Sequence, residues 1–262
     1  GLMAALIYRG IRLVHVPTTL MAQHDVITSL KTAINLCGRK NNLGTYYASV
    51  LNLVDVGFLA TLPESQYMSG LGELCKNALI LGGEHSEVFE RVMHQWRHEG
   101  VELTQHNEEL VKVGIKAKAS LLAVDAKEKT GAMIFEYGHT TAHALERSYP
   151  DEVLPHGVAV CWGMLTCSFV AERMGVMTPA ERGRHDGIIE LMGLKLPEPR
   201  PRLEDIMDKL MRDSKRGLVM EQADEVSEVL LKGVGAPLES KTMLHAVKSD
   251  LVREWLVSVG FS

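Results

Sequence analysis

The chain has 262 residues, and 28 Lys and Arg against 33 Asp and Glu leave a formal net charge of −5. That length carries one large domain or two small ones with ample core, and mild acidity without a basic cluster argues against nucleic acid or an anionic membrane as partner. Four cysteines (Cys37, Cys75, Cys161, Cys167) with no CxxC pair speak against a disulfide framework or a Cys-based zinc site, and favour a reducing cytoplasm.

Gly1 to Tyr8 read as helix with no capping Ser, Thr, Asp or Asn ahead of them, so the chain is expected to begin inside a structural element. Arg12–Val16 is a short β-rich run closed by Pro17. Met21 to Ile34 carries apolar residues at roughly helical spacing, Gly38 to Gly44 reads as a polar loop, and Tyr46 to Val56 as one or two short strands. Beyond Phe58 the periodicity turns helical. The expected helices are Glu64–Leu81, Ser86–Arg97, Asn107–Val124, His139–Ser148, His156–Met174, Pro179–Leu191, Leu203–Asp213 and Lys241–Val257. Gly157–Ala171 is the most apolar stretch, but it falls short of the roughly 20 residues of a membrane span and reads as a buried helix. Gly217–Val234 is expected to form a β-ribbon. The fold class is therefore an α/β N-terminal remnant (1–56) followed by a mostly α-helical domain (57–262).

Three polar clusters fall on helices. Glu73 and Lys76 share a face at i, i+3; as a surface ion pair they would be worth at most ~1 kcal/mol. His139 and His143 form an HxxxH pair preceded by Glu136, and Thr140 in place of a Glu excludes the zincin pattern. His156 opens the most apolar helix, where it either caps the helix or joins a site. One carboxylate and two imidazoles would make a divalent-metal set with positions open for substrate. Asp25, Lys31, Lys40 and Asn41 suit a phosphate or sugar hydroxyls, or are simply a solvated charged loop.

Taken in order, VPTTL (16–20), Asp25 with Lys31, Lys40-Asn41, FLATLP (58–63), SGLGELCKNAL (69–79), KASLLAVDAKE (118–128), EYGHTTAHALE (136–146), PHGVAV (155–160) and DSKRG (213–217) resemble the dehydroquinate synthase superfamily of sugar phosphate cyclases. The resemblance implies a metal, cobalt or zinc, on Glu73, His139 and His156. It implies catalytic roles for Lys76, Lys118, Glu136 and His143, and substrate contacts from Asp25, Lys31, Asn41 and Lys215. NAD would touch Thr18, Thr19, Asp25 and Lys40. Family members carry an N-terminal NAD-binding α/β domain, so residues 1–56 would be its C-terminal part, with most cofactor contacts upstream. The family is commonly dimeric, which makes a homodimer acting on a small sugar phosphate the expectation, without nucleic acid or membrane.

Two departures bear on substrate. Dehydroquinate synthase has Asn three residues before the first motif His and Arg four residues before that Asn; here the positions hold Glu136 and Ala132. The exchange removes a cation and adds an anion. Like charges about 4 Å apart repel by ~1 kcal/mol in water and ~4 kcal/mol at an effective dielectric near 20, which disfavours a carboxylated sugar. A neutral polyol would instead donate to Glu136. Glu136 together with SLKTAIN (29–35) is most similar to members that cyclise D-glucose 6-phosphate, with sedoheptulose 7-phosphate as the neighbouring possibility. The rival readings are an iron-type alcohol dehydrogenase relative and an inactive helical fragment.

Overall fold

The computed structural model of the chain describes every residue except Gly38, Asp151, Glu152, Ser214, Arg216, Met220 and Glu221 and the side chains of Arg39 and Lys40. Helix Leu2–Leu6 (α1) leads to the short strand Val14–His15 (β1). This strand pairs in parallel with Leu51–Asn52 (β4), Val14 facing Leu51. Parallel neighbours require a crossover, and this one holds helix Leu20–His24 (α2) and an antiparallel hairpin of Lys31–Leu36 (β2) and Arg39–Tyr46 (β3). Thr19 caps α2, its hydroxyl accepting from the Ala22 N–H at 3.2 Å.

The hairpin corrects two expectations. Residues 31–34 continue no helix: Thr32 and Ile34 alternate along β2 opposite Thr45 and Leu43. The expected loop at 38–44 is strand from Arg39 onward. Both strands are mostly solvent-exposed, so backbone pairing holds them and they carry no buried face for a sequence pattern to reveal. Of the strands expected over 46–56, only Leu51–Asn52 forms beyond the end of β3.

The rest is mainly helical: Glu64–Leu81 (α3), Gly83–His94 (α4), Asn107–Leu122 (α5), His139–Glu146 (α6), His156–Arg173 (α7), Pro179–Glu190 (α8), Leu203–Leu210 (α9) and Ser249–Ser258 (α10). Helix α7 is apolar almost all round, as a central helix must be, and it packs against α3, α6, α8 and α10. Thr178 and Glu181 form a capping box that starts α8, with Pro179 in the first turn. No helix among the described residues is long and apolar enough to cross a membrane.

Two C-terminal expectations change. Residues 241–248 form no helix; Leu244–Lys248 (β8) is a strand, and α10 begins only at Ser249. The ribbon expected over 217–234, with Glu225–Leu231 as its clearer strand, is right in its strand and wrong in its pairing: Glu225–Val229 (β5) is strand but pairs antiparallel with β8, Val226 opposite Val247. Leu231–Gly233 (β6) turns back on Ala236–Pro237 (β7) instead. Residues 226–229 are all buried, so β5 has no solvent-exposed face whose alternation could declare its register.

Candidate metal centre and active site

Close backbone contact between α3 and α7 sets the site. A Cβ on Gly72 would run into the Gly157 backbone, and one on Gly157 into the Ser69 carbonyl; the Ser69 hydroxyl also accepts from the Gly157 N–H at 2.9 Å. This contact brings Glu73, one residue after Gly72, beside His156, one residue before Gly157. Gly138, at φ +77, lets α6 start hard against α7, which delivers His139 to the same point.

The ligand atoms of Glu73, His139 and His156 lie within 4.8 Å of one another, and theirs is the one such group among the described residues. Glu73 Oε1 lies 3.5 Å from His139 Nε2 and 3.4 Å from His156 Nε2. That oxygen is buried and makes no hydrogen bond. The other, Oε2, accepts from the Lys76 ammonium. Both imidazoles are oriented from behind. His139 Nδ1 is 3.1 Å from the Tyr137 carbonyl, to which it can only donate, so Nε2 keeps its lone pair. His156 Nδ1 is 3.3 Å from Glu146 Oε2, the carboxylate–histidine arrangement that backs metal ligands. An orphaned buried carboxylate oxygen facing two prepared imidazole nitrogens fits a divalent cation.

The electrostatics agree. Burial alone would raise Glu73, but Lys76 and the two histidines hold it well below the usual carboxylate range. Burial and Lys76 push His139 down to about 3, so it is neutral at pH 7. Burial lowers His156 too, but Glu146 and Glu73 outweigh it and hold the ring at about 9. Lys76 is raised: burial pulls it down and Glu73 more than compensates. It therefore stays a cation, suited to positioning and charge balance rather than to accepting a proton.

The remaining expected residues form two groups. Lys118 Nζ pairs with Asp25 Oδ1 at 3.1 Å and lies 4.4 Å above the Phe135 ring, over which Lys76 also sits at 5.5 Å. Lys215 pairs with Asp213 Oδ1 at 3.0 Å and with Glu136 Oε2 at 3.5 Å, and His143 Nδ1 is 3.4 Å from Asp213 Oδ2. Burial would raise Glu136, yet Lys215, His139 and His143 hold it at about 2. Such a carboxylate is a weak base at neutral pH and a good acceptor. The anion inferred from the Asn-to-Glu exchange is thus present, though paired with Lys215. Ala132 is buried and its N–H donates to Asp125 Oδ2 at 3.1 Å.

Asp25, Lys31, Asn41 and Lys118 line a cleft of about 840 Å³ beside the hairpin. Thr18 is exposed, and the Thr19 hydroxyl caps α2. The side chain of Lys40 lies outside the described residues. Four residues absent from the expected set complete the arrangement: Asp213, Glu146, Phe135 and Glu128. Glu128, at φ +50, accepts from the Ser29 hydroxyl at 2.7 Å and the Lys31 ammonium at 2.8 Å, tying the hairpin to the loop after α5. Asp213 and Glu146 stand inside quoted motifs, so proximity to Lys215 and to the HxxxH pair was their available signal; Glu128 had none beyond its motif.

Residues 1–69 match the family model described as 3-dehydroquinate synthase N-terminal, and residues 70–216 match 3-dehydroquinate synthase C-terminal. A 2-deoxy-scyllo-inosose synthase of Micromonospora echinospora is 37% identical over 91% of this chain and 59% of its own length. A solved 2-deoxy-scyllo-inosose synthase complexed with carbaglucose-6-phosphate, NAD+ and Co2+ superposes with a TM-score of 0.87 at 34% identity, over 96% of this chain and 68% of that one. A 2-epi-5-epi-valiolone synthase from Streptomyces hygroscopicus with NAD+ and Zn2+ bound gives 0.78 at 26% identity, over 99% and 69%. The chain thus spans about three fifths of the length of the first of these relatives.

Proposed function

The chain belongs to the 3-dehydroquinate synthase family, and from that premise we propose that it supplies the metal- and substrate-binding part of a 2-deoxy-scyllo-inosose synthase. The enzyme would convert D-glucose 6-phosphate to 2-deoxy-scyllo-inosose and phosphate, in 2-deoxystreptamine antibiotic biosynthesis. The observation that carries this choice is Glu136, an ionised carboxylate three residues before the ligand His139 and 3.5 Å from Lys215, with Ala132 where a carboxylate-binding Arg would stand. The 2-deoxy-scyllo-inosose synthase relatives support it further.

In this reading Glu73, His139 and His156 hold one Co2+ or Zn2+. NAD meets this chain at Thr18, Thr19, Asp25 and Lys40, and residues 1–56 are the C-terminal part of its domain. When bound, the ion supplies Lewis-acid polarisation of a sugar oxygen and NAD supplies a hydride acceptor and donor. Lys76 neutralises the second oxygen of Glu73 and keeps that carboxylate in one orientation. Lys118, held between Asp25 and the face of Phe135, presents its ammonium to a sugar hydroxyl and serves proton transfer there. Glu136 accepts a hydroxyl hydrogen bond, worth about 1.5–3 kcal/mol when charge-assisted. Asn41, His143 and Lys215 surround the phosphate, with Asp213 fixing both His143 and Lys215, and Lys31 contacts the substrate from the hairpin. The enzyme is read as a cytoplasmic homodimer.

The test is phosphate release from D-glucose 6-phosphate by the enzyme carrying this chain, with NAD+ and Co2+. Glu73→Gln should abolish release together with metal uptake. Glu136→Gln should keep the metal and lower turnover; unchanged turnover would remove Glu136 from the mechanism.

A further inference from the structure

Behind the metal centre runs a buried polar chain that the proposed mechanism does not use. The Tyr137 hydroxyl is 2.8 Å from His185 Nε2, and His185 Nδ1 is 2.8 Å from Asp186 Oδ1. Asp186 also accepts from the Ser168 hydroxyl at 2.6 Å and from Arg182 Nε at 3.1 Å. Tyr137 and His185 are completely buried. Only one tautomer satisfies every group. Asp186 is an acceptor, so His185 carries its proton on Nδ1, and Nε2 accepts from the Tyr137 phenol. The chain thus runs inward from Arg182, at the partly exposed face of α8, to the phenol of Tyr137.

Tyr137 is also the residue whose carbonyl takes the His139 Nδ1–H. Its backbone lies between the 3-10 turn Gly131–Glu136 and Gly138, which is in the left-handed region at φ +77. Its N–H donates to the Ile134 carbonyl at 3.0 Å and closes that turn; the buried side chain, anchored on His185, adds the tertiary hydrogen bond that ties the residue to α8. Because the path breaks at the peptide, it is no proton wire; it transmits position.

We propose that Tyr137, His185 and Asp186 form a positioning relay that fixes the Tyr137 carbonyl and through it the orientation of the His139 imidazole toward the metal. The proposal rests on the metal reading of Glu73, His139 and His156. Partners one bond from a ligand typically alter metal affinity 10–100-fold; one step further removed, Tyr137→Phe should weaken it about 3–10-fold.

The experiment measures Co2+ affinity of the full chain by competition with a chromophoric chelator, together with the visible Co2+ absorption spectrum. Tyr137→Phe is compared with Thr166→Val, which removes a buried hydroxyl bonded to the Trp162 carbonyl on α7. The relay predicts weaker affinity and a shifted Co2+ band for Tyr137→Phe, with neither change in Thr166→Val at a comparable loss of Tm. His185→Gln provides the same reading should Tyr137→Phe fail to fold. Affinity within twofold of the parent and an unchanged spectrum, in either relay variant that folds, would overturn the relay and leave the metal site standing. A parent chain that takes up no Co2+ would overturn the metal reading and the relay with it.

Discussion

Glu228 on β5 is a fully buried carboxylate to which, among the described residues, no ammonium or guanidinium is hydrogen-bonded. It accepts from the Thr141 hydroxyl at 3.2 Å and the Cys167 thiol at 3.3 Å. Burial pushes its carboxyl up to about 7; Lys215 pulls it back, as do the Cys167 and Thr141 bonds, and Asp213 adds to the rise. The same group titrates near 4.5 in the unfolded chain. Between those values the folded chain holds a proton that the unfolded chain has lost, so stability falls as pH rises from about 4.5 to about 7 and levels off above. At about 1.4 kcal/mol per pH unit, the whole penalty is about 3 kcal/mol. Glu228→Gln keeps the shape and an acceptor for Thr141 while carrying no charge. Urea unfolding followed by tryptophan fluorescence should find the variant more stable than the parent by up to about 3 kcal/mol near pH 8, and within about 1 kcal/mol near pH 5. A variant no more stable than the parent near pH 8 would refute the reasoning. The charged carboxylate would then be a net stabilising partner of Lys215.

Lys76→Met should leave Glu73 buried without its counter-ion and destabilise the metal-free chain by about 3–5 kcal/mol; saturating Co2+ should restore much of the lost Tm, measurable by thermal melts with and without metal. His156, protonated below about 9 in the metal-free site, must release that proton when an ion binds. Co2+ affinity should therefore fall about tenfold for each pH unit below about 9, with proton release on binding in weakly buffered solution; a flat profile would contradict it. Glu128→Ala should cost less than about 1 kcal/mol of stability, because Lys31 is half exposed and its ion pair screened. It should nevertheless speed amide exchange in residues 31–46 and raise KM for the sugar phosphate with kcat retained.

The helices that carry the site were legible because they combine local signals with dense apolar pattern. The bounds of α3 are those the periodicity predicts, and α6 and α7 begin at His139 and His156 as expected. What escaped was non-local. Strand β5 takes its partner from nearly twenty residues downstream, and its four consecutive buried residues, Glu228 among them, follow no alternation. The exposed hairpin has no apolar face. Within the site, the ligand types could be read from spacing and resemblance. The groups that orient them could not: Asp213 reaches His143 across 70 positions, Glu128 reaches Lys31 across 97, and His185 reaches Tyr137 across 48. Tertiary packing brings such partners together: α9 against α6, the hairpin against the loop after α5, and α8 against α7.

The central claim is a cyclase for an uncarboxylated sugar phosphate. It is tested most directly by phosphate release from D-glucose 6-phosphate, sedoheptulose 7-phosphate and the carboxylated dehydroquinate precursor, each offered separately with NAD+ and Co2+ to the enzyme carrying this chain. Release from D-glucose 6-phosphate alone is the predicted result. Release from the carboxylated sugar would contradict the account, because Glu136 beside Lys215 and the missing guanidinium at Ala132 would then not be selecting against a carboxylate.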